Sequence, residues 1–275
     1  MQASIARSFL FVPGNRPERI EKAFTAGPDE VIVDLEDAVP PAQKAEARRA
    51  AAEWFSAGRP TLLRINGTST EWFRDDLEIC ALPSVAGVVL PKAEQTQDLD
   101  AIRAKAMPSA RIFPLIETAQ GFGNATPLAR HSSVRRLIFG PIDFQLDLGI
   151  SGEGEELLYF RSQLVLVSRL AGLQPPVDGI NTVIDDLETL RADTLRSRRL
   201  GFGGKLLIHP KQIAVVHECF QPSADEIAWA KRVLDAASAS RGAAVAMNGE
   251  LVDRPIITRA ESILREAQAR SPRQT

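Results

Sequence analysis

The run Val31-Ile32-Val33-Asp34-Leu35-Glu36-Asp37 places three carboxylates within four residues directly behind an uninterrupted apolar segment. Similar junctions recur along the chain. Arg64 and Asn66 follow Thr61-Leu62-Leu63, Lys92 follows Val88-Val89-Leu90-Pro91, and Glu117 follows Pro114-Leu115-Ile116. Asp143 follows Phe139-Gly140-Pro141-Ile142, and His209 follows Leu206-Leu207-Ile208. Glu117 and Asp143 are hard oxygen donors with no His/Cys cluster to compete with them. Two carboxylates completed by water and substrate oxygens suit Mg²⁺, which keeps much of its hydration and rarely takes an all-protein cage. Arg64 offers a planar guanidinium that can grip a carboxylate through two parallel hydrogen bonds. The combination suggests chemistry on a 2-oxo or hydroxy acid chelated to a divalent metal. One such junction alone is an ordinary solvated strand end; its repetition points to a site.

Uninterrupted β-branched runs suit strands buried on both faces of a parallel sheet, and clustered charge cannot stay in that interior, so the acids are expected at strand ends. Eight short apolar segments are expected as strands: Ser8–Pro13, Glu30–Leu35, Thr61–Ile65, Val85–Leu90, Arg111–Ile116, Arg136–Ile142, Val177–Thr182 and Lys205–Ile208. Segments of helical composition such as Ala42–Phe55 and Leu187–Leu200 separate them. Eight alternating β/α units match a closed (β/α)8 TIM barrel, whose strand tips converge on one face. A doubly wound sheet is the main alternative, but its dinucleotide fingerprint is missing. Gly201-Phe202-Gly203-Gly204-Lys205 precedes a strand and lacks the Ser or Thr of a phosphate-binding loop, so it reads as a helix-ending turn.

At 275 residues the chain suits one large α/β domain or two small ones. Lys+Arg 33 against Asp+Glu 35 leaves a net charge of −2 with no long run of either sign, which argues against nucleic acid or an anionic membrane as partner. Cys80 and Cys219 lack metal-type spacing and read as buried thiols in a reducing compartment. The N-terminal residues carry no signal-peptide pattern, and no segment approaches the roughly 18 apolar residues of a membrane span; a cytoplasmic location is expected. Asp143–Arg169 is longer than one crossover needs and holds an amphipathic helix over Leu157–Leu170. Beyond the eighth strand lie a helix over Ser223–Arg241, a hairpin-like piece over Ala243–Val252, a helix over Pro255–Ala269 and a polar, frayed end. The expected division is a barrel catalytic domain over 1–221 and a C-terminal helical extension over 222–275, packing on the barrel or on a neighbouring subunit.

Arg7-Ser8-x-Leu10-Phe11-Val12-Pro13-Gly14, Asp34-Leu35-Glu36-Asp37-Ala38-Val39 with Lys44 and Ala47-Arg48, Arg64-x-Asn66, Pro91-Lys92, Leu115-Ile116-Glu117-Thr118, Gly140-x-x-Asp143, Gly204-Lys205 and Ile208-His209-Pro210 occur in this order. The pattern resembles the citrate lyase β-subunit-like branch of the HpcH/HpaI aldolase family, from about Arg7 to Ala260. The resemblance implies a Mg²⁺-dependent lyase on a (β/α)8 barrel, usually a homotrimer. Its substrates are thioesters of coenzyme A or of an acyl carrier protein. Carried over position by position, Glu117 and Asp143 would be the metal ligands and Arg64 the partner of the substrate carboxylate and oxyanion. Asn66 and Lys92 would bind substrate beside Arg64, and Glu36 and Asp37 would orient metal-bound waters. Cleavage of a citryl-, malyl- or citramalyl-type 3-hydroxyacyl thioester would release a keto acid such as oxaloacetate, pyruvate or glyoxylate and leave an acyl thioester.

Asn248-Gly249-Glu250-Leu251-Val252-Asp253 resembles the family's C-terminal glycine turn followed by an aspartate, which makes Asp253 a candidate acid/base for the thioester α-carbon. Asp253 two residues before Pro255 is equally suited to capping a helix. Two other functions fit the same residues: a malate synthase-like enzyme that condenses and then hydrolyses the thioester, and a catalytically inactive barrel serving as a binding subunit.

Overall fold

The computed structural model describes residues 5–239, 245–247 and 250–268. Eight parallel strands close into a barrel: β1 (Ser8–Pro13), β2 (Glu30–Asp34), β3 (Thr61–Arg64), β4 (Val85–Leu90), β5 (Arg111–Ile116), β6 (Ile138–Phe139), β7 (Val177–Asp178) and β8 (Gly204–Leu207). Each pairs with its sequence neighbour, and β8 closes on β1 through Ser8 opposite Lys205 and Leu10 opposite Leu207. This is the expected (β/α)8 architecture. The chain divides into two compact units, Ile5–His217, which holds the whole barrel, and the segment beginning at Glu218. The sequence expectation set that division at residue 221.

Side chains alternate along a strand, so one parity of each strand faces the barrel interior. Phe9, Ile32, Leu62, Val89, Phe113, Leu115, Ile138, Val177 and Leu206 form that interior core, with every strand contributing. Gly87 has the inward parity on β4, and an added Cβ there would meet Phe113 at 2.8 Å and the Arg111 carbonyl at 2.7 Å. The missing side chain is what lets Phe113 fill the barrel. The opposite parity, exemplified by Val31, Val33 and Val88, is also fully buried. Burial on both faces explains why these strands read as unbroken apolar runs.

β2 and β3 end one residue earlier than expected, and two other strands are far shorter than their apolar composition suggested. β6 stops at Phe139 because Gly140 and Pro141 start the helix Pro141–Leu148, with Pro in the first turn, where its missing N–H costs no helical bond. β7 stops at Asp178, and Gly179 onward is loop. Gly201 adopts φ 100° and ends the helix Leu187–Leu200 in a left-handed cap, with Phe202 N–H donating to the Ser197 carbonyl. The glycine-rich stretch is thus a helix-ending turn.

The second unit pairs the helices Ala224–Ala239 and Arg254–Gln268 around Ala230, Val233, Ala237, Val252, Ile257 and Ala260. Between them Val245–Met247 and Glu250–Val252 pair as an antiparallel hairpin. Asn248 and Gly249, the expected turn, lie outside the described residues. No helix among the described residues is long and apolar enough to cross a membrane.

Candidate active site

Continuing the inward parity beyond each strand's core residue predicts who lines the barrel mouth. Ile32 leads to Asp34, Leu62 to Arg64, Leu115 to Glu117, Ile138 to Gly140, Val177 to Gly179 and Leu206 to Ile208. All six destinations line one cavity of about 480 Å³, together with Phe11, Asp37, Ile142 and Asp143. The cavity lies at the carboxyl ends of the strands, where parallel barrels carry their chemistry.

The most buried charge pair in it joins β2 to β3. Asp34, fully buried, accepts hydrogen bonds from Arg64 Nε at 2.7 Å and Nη2 at 2.6 Å. This is a bidentate, charge-assisted contact. The same carboxylate accepts the backbone N–H groups of Glu36 at 2.8 Å and Ala38 at 3.1 Å, so it also shapes the turn after β2. Asp34 lies at the end of its strand, as expected for the acid cluster, yet it is fully buried, because Arg64 and two N–H groups replace its lost hydration. Sequence reasoning passed over its role, although its parity with Ile32 was a usable signal.

Arg64 also has Nη1 2.8 Å from Glu36 Oε2 and 3.5 Å from Asp37 Oδ2, and its guanidinium lies over the Phe11 ring at 4.4 Å. Burial opposes its charge, but Asp34, Glu36 and Asp37 outweigh that and push its pKa up. Glu36 responds in the other direction. Burial, reinforced by Asp37 and Asp34, raises its carboxyl to about 7, although Arg64 and Lys92 pull it down. Glu36 Oε2 approaches Arg64 off the hydrogen-bond axis, which leaves this buried oxygen without a hydrogen-bond donor.

Glu117 stands just beyond β5, its side chain 3% exposed, and accepts the backbone N–H of Lys92 at 2.8 Å. Burial raises its carboxyl to about 8, with Glu36 and Asp143 adding like charge and Lys92 offsetting part of it. Asp143, 34% exposed, comes from the first turn of the helix Pro141–Leu148 and not from a strand tip. That corrects the strand-end placement, since Gly140-Pro141 starts a helix there. Lys92 Nζ lies 3.5 Å from Glu36, 3.9 Å from Glu117 and 3.8 Å from Asp143, so one cation touches all three carboxylates. Lys92 itself has φ 46°, the only non-glycine residue in the left-handed region among those described. Strain of this kind persists only where surrounding contacts impose it.

Three observations bear on a metal. The Glu117 and Asp143 oxygens are hard donors, three buried carboxyls (Asp34, Glu36 and Glu117) share the site with the two cations Arg64 and Lys92, and Glu36 Oε2 lacks a hydrogen-bond donor. Among the described residues no group of three or more His, Cys, Asp or Glu side chains forms a cage unaided. Two carboxylates open to water and substrate fit a hard divalent ion without such a cage.

Asn66 is not on the cavity wall. It is 1% exposed; its Oδ1 accepts from Lys44 at 2.6 Å, and its Nδ2 and N–H donate to Asp76 at 2.6 and 2.9 Å. It supports the site from behind, which corrects the expectation of a substrate contact. His209 is engaged locally, its Nδ1 accepting the Lys211 N–H at 3.2 Å, and does not line the cavity. Asp253 belongs to the second unit, where its Oδ1 accepts the Ile256 N–H at 3.3 Å at the start of the helix Arg254–Gln268. That is an N-cap contact. Cys80 is buried, and burial beside Asp76 pushes its thiol up to about 12, so it is no nucleophile at neutral pH.

A closed parallel barrel with an arginine and several carboxylates gathered in a cavity at its carboxyl ends defines an enzyme-like (β/α)8 protein. The family profile described as HpcH/HpaI aldolase/citrate lyase matches residues 7–210. A citrate lyase subunit beta-like protein of Deinococcus radiodurans is 38% identical over 279 residues, covering 95% of this chain and 97% of that one. A (3S)-malyl-CoA thioesterase of Cereibacter sphaeroides is 35% identical over 279 residues, covering 98% and 96%. The crystal structure of CitE from Mycobacterium tuberculosis in complex with magnesium, acetoacetate and coenzyme A superimposes with a TM-score of 0.87 at 34% identity, covering 96% of this chain and 99% of that one. The chain belongs to the HpcH/HpaI aldolase/citrate lyase family, in its citrate lyase β-subunit-like branch.

Proposed function

We propose that this chain is a Mg²⁺-dependent carbon–carbon lyase that splits a 3-hydroxyacyl thioester of the citryl, malyl or citramalyl type into a keto acid and an acyl thioester. The observation that carries this reading is the convergence of Arg64, Glu117 and Asp143 on one cavity. Glu117 and Asp143 would hold Mg²⁺, which when bound supplies Lewis-acid polarisation of substrate oxygens. Arg64, fixed by Asp34, presents a permanently charged guanidinium to the keto-acid carboxylate and to the oxygen whose charge changes as the bond breaks. Asp37 lines the same cavity and adds an acceptor there, and Lys92 places its ammonium against Glu117 and Asp143. Phe11, Leu115, Ile142, Ile180, Leu206 and Ile208 give the cavity apolar walls that strengthen these electrostatic contacts. The magnesium, acetoacetate and coenzyme A bound by the mycobacterial relative support this combination of partners. A homotrimer acting on thioesters of coenzyme A or a carrier protein is part of the reading through family membership. Cys80 and Cys219 are buried and not joined in a disulfide, which supports a reducing, cytoplasmic setting.

Thioester hydrolysis is the second reading, favoured by the 35% identity to the malyl-CoA thioesterase. Incubating citryl-, malyl- and citramalyl-CoA with protein and Mg²⁺ separates the two. A lyase releases a keto acid and keeps the thioester bond, whereas a hydrolase releases free thiol and a hydroxy acid. Glu117→Ala, folded by circular dichroism, is expected to be inactive in either case. Full activity in that variant would sink the site assignment.

A further inference from the structure

Lys44 is buried at the start of the helix Lys44–Ala57, and its ammonium makes three hydrogen bonds: to the Leu35 carbonyl at 2.7 Å, the Glu36 carbonyl at 2.8 Å and Asn66 Oδ1 at 2.6 Å. All three of its protons are used. Successive carbonyls of an extended chain point in opposite directions, so two of them converging on one point mark a turn that no sheet ladder supports. The opposite side of that turn is held by Asp34, which accepts the N–H groups of Glu36 and Ala38. The acid turn is thus gripped by a carboxylate on its N–H groups and by an ammonium on its C=O groups. The Trp72 ring covers the ammonium, its centroid 5.0 Å away.

One helical turn later Arg48 Nε donates to Asp76 at 2.9 Å, and Asp76 in turn holds the Asn66 amide and N–H. Residues four apart share one helix face. A single face therefore ties the turn after β2 to the tip of β3, and fully buried Ala47 lets that face lie close to the barrel.

We propose that Lys44 is a positioning residue whose ammonium fixes the backbone path carrying Glu36 and Asp37 to the cavity. The proposal rests on the reading that this cavity is the catalytic site. Lys44 touches no substrate; it acts by presenting three N–H donors at one point. A free alkylammonium ion can do the same once the side chain is cut back, whereas a quaternary ammonium of equal charge cannot donate.

The test compares wild type, Lys44→Ala and Lys44→Gln in the presence of propylammonium or tetramethylammonium chloride at equal ionic strength. Melting temperature without metal and turnover with Mg²⁺ are the two readouts. Both variants are expected to lose about a hundredfold in turnover, the loss associated with a displacement near 1 Å at a site. Propylammonium is expected to raise the melting temperature and the rate of Lys44→Ala, tetramethylammonium neither, and wild type is expected to respond to neither. Where Lys44→Ala does not fold, Lys44→Gln carries the test through its rate and melting temperature alone. A folded Lys44→Gln with wild-type turnover would overturn the proposal. So would rescue of Lys44→Ala that is no greater with propylammonium than with tetramethylammonium. A fully active Glu117→Ala would remove the catalytic reading instead, and leaves the metal-free thermal rescue as an independent test of Lys44.

Discussion

Replacing Gly140 by Ala should damage catalysis out of proportion to stability. A Cβ at Gly140 would lie 2.5 Å from Glu117 Oε2, 2.7 Å from Glu117 Cβ and 3.3 Å from Leu115 Cδ1. Comfortable separations between such atoms are about 3.5 Å or more, so Glu117 must retreat by ~1 Å. The backbone at Gly140, φ −106° and ψ 81°, is open to alanine, so the perturbation is steric and falls on Glu117. Glu117 has little room to absorb it, being buried with Oε1 held by the Lys92 N–H. Overpacking of this kind costs about 1–3 kcal/mol of stability. A ~1 Å misplacement of a group at the reacting centre costs about a hundredfold in rate, and under the proposed function Mg²⁺ affinity is expected to fall as well. The assay is kcat/KM on the thioester that proves to be the substrate, with Mg²⁺ titration calorimetry and a urea midpoint on the same preparation. Unchanged Mg²⁺ affinity and kcat/KM in a folded Gly140→Ala would refute the claim that the position of Glu117 governs the site.

Arg64→Lys keeps the charge but cannot span both oxygens of Asp34 while facing the cavity; turnover is expected to fall about a hundredfold, near 3 kcal/mol, and an unchanged kcat/KM would take Arg64 out of the chemistry. Asp253→Asn distinguishes two roles: Asn keeps the Oδ1 acceptor for the Ile256 N–H, so a residue that only caps the helix leaves stability and turnover nearly unchanged, whereas loss of an acid/base costs about two to four powers of ten in rate. Steady-state rates and a melting curve on one sample decide it. Asp29 connects barrel stability to pH. Burial raises its carboxyl, but contact with His217 and the N–H groups of Arg7 and Ser8 outweighs that and holds it at about 2. A depressed folded-state value stabilises the protein fully above about pH 4 and loses that contribution as pH falls towards 2. Partial exposure trims it to about 1–2 kcal/mol. The gap in urea midpoint between wild type and Asp29→Asn is therefore expected to close over that window, and a gap independent of pH would count against the assignment.

The barrel was legible because burial on both faces leaves unbroken β-branched runs, and the β/α count did the rest. Arg64 and Glu117 were legible because each is a charge at the end of an apolar run, Arg64 as the last residue of β3 and Glu117 as the first beyond β5. Asp34 was hidden by the rule that charge avoids an interior, a rule that fails when a bidentate partner arrives from a strand 30 residues on in sequence. Asn66 obeys the same parity as Arg64 yet faces away from the cavity, since the strand has already ended and the backbone turns towards Asp76. Asp143 reached the cavity by a helix turn, which composition alone reads as more strand. Lys44 lies at the start of a helix, and nothing local in the sequence says that its ammonium reaches back to residues 35, 36 and 66.

The uneven strand lengths give the barrel wall a stiff arc and a soft one. From β1 to β5 neighbouring strands share at least three paired positions, whereas β6 meets β7 through Ile138 and Val177 alone and β7 meets β8 through two pairs. Glu117 and Arg64 are mounted on the stiff arc, and Asp143 rides on the helix that follows β6. Segments with few backbone bonds open locally at a fraction of the global unfolding free energy. Amide hydrogens of β6 and β7 will therefore exchange through small local openings while those of β2 to β4 wait for the whole barrel to unfold. Glu117 and Asp143 then differ in character: one stands on an anvil, and the other on a mount that can yield.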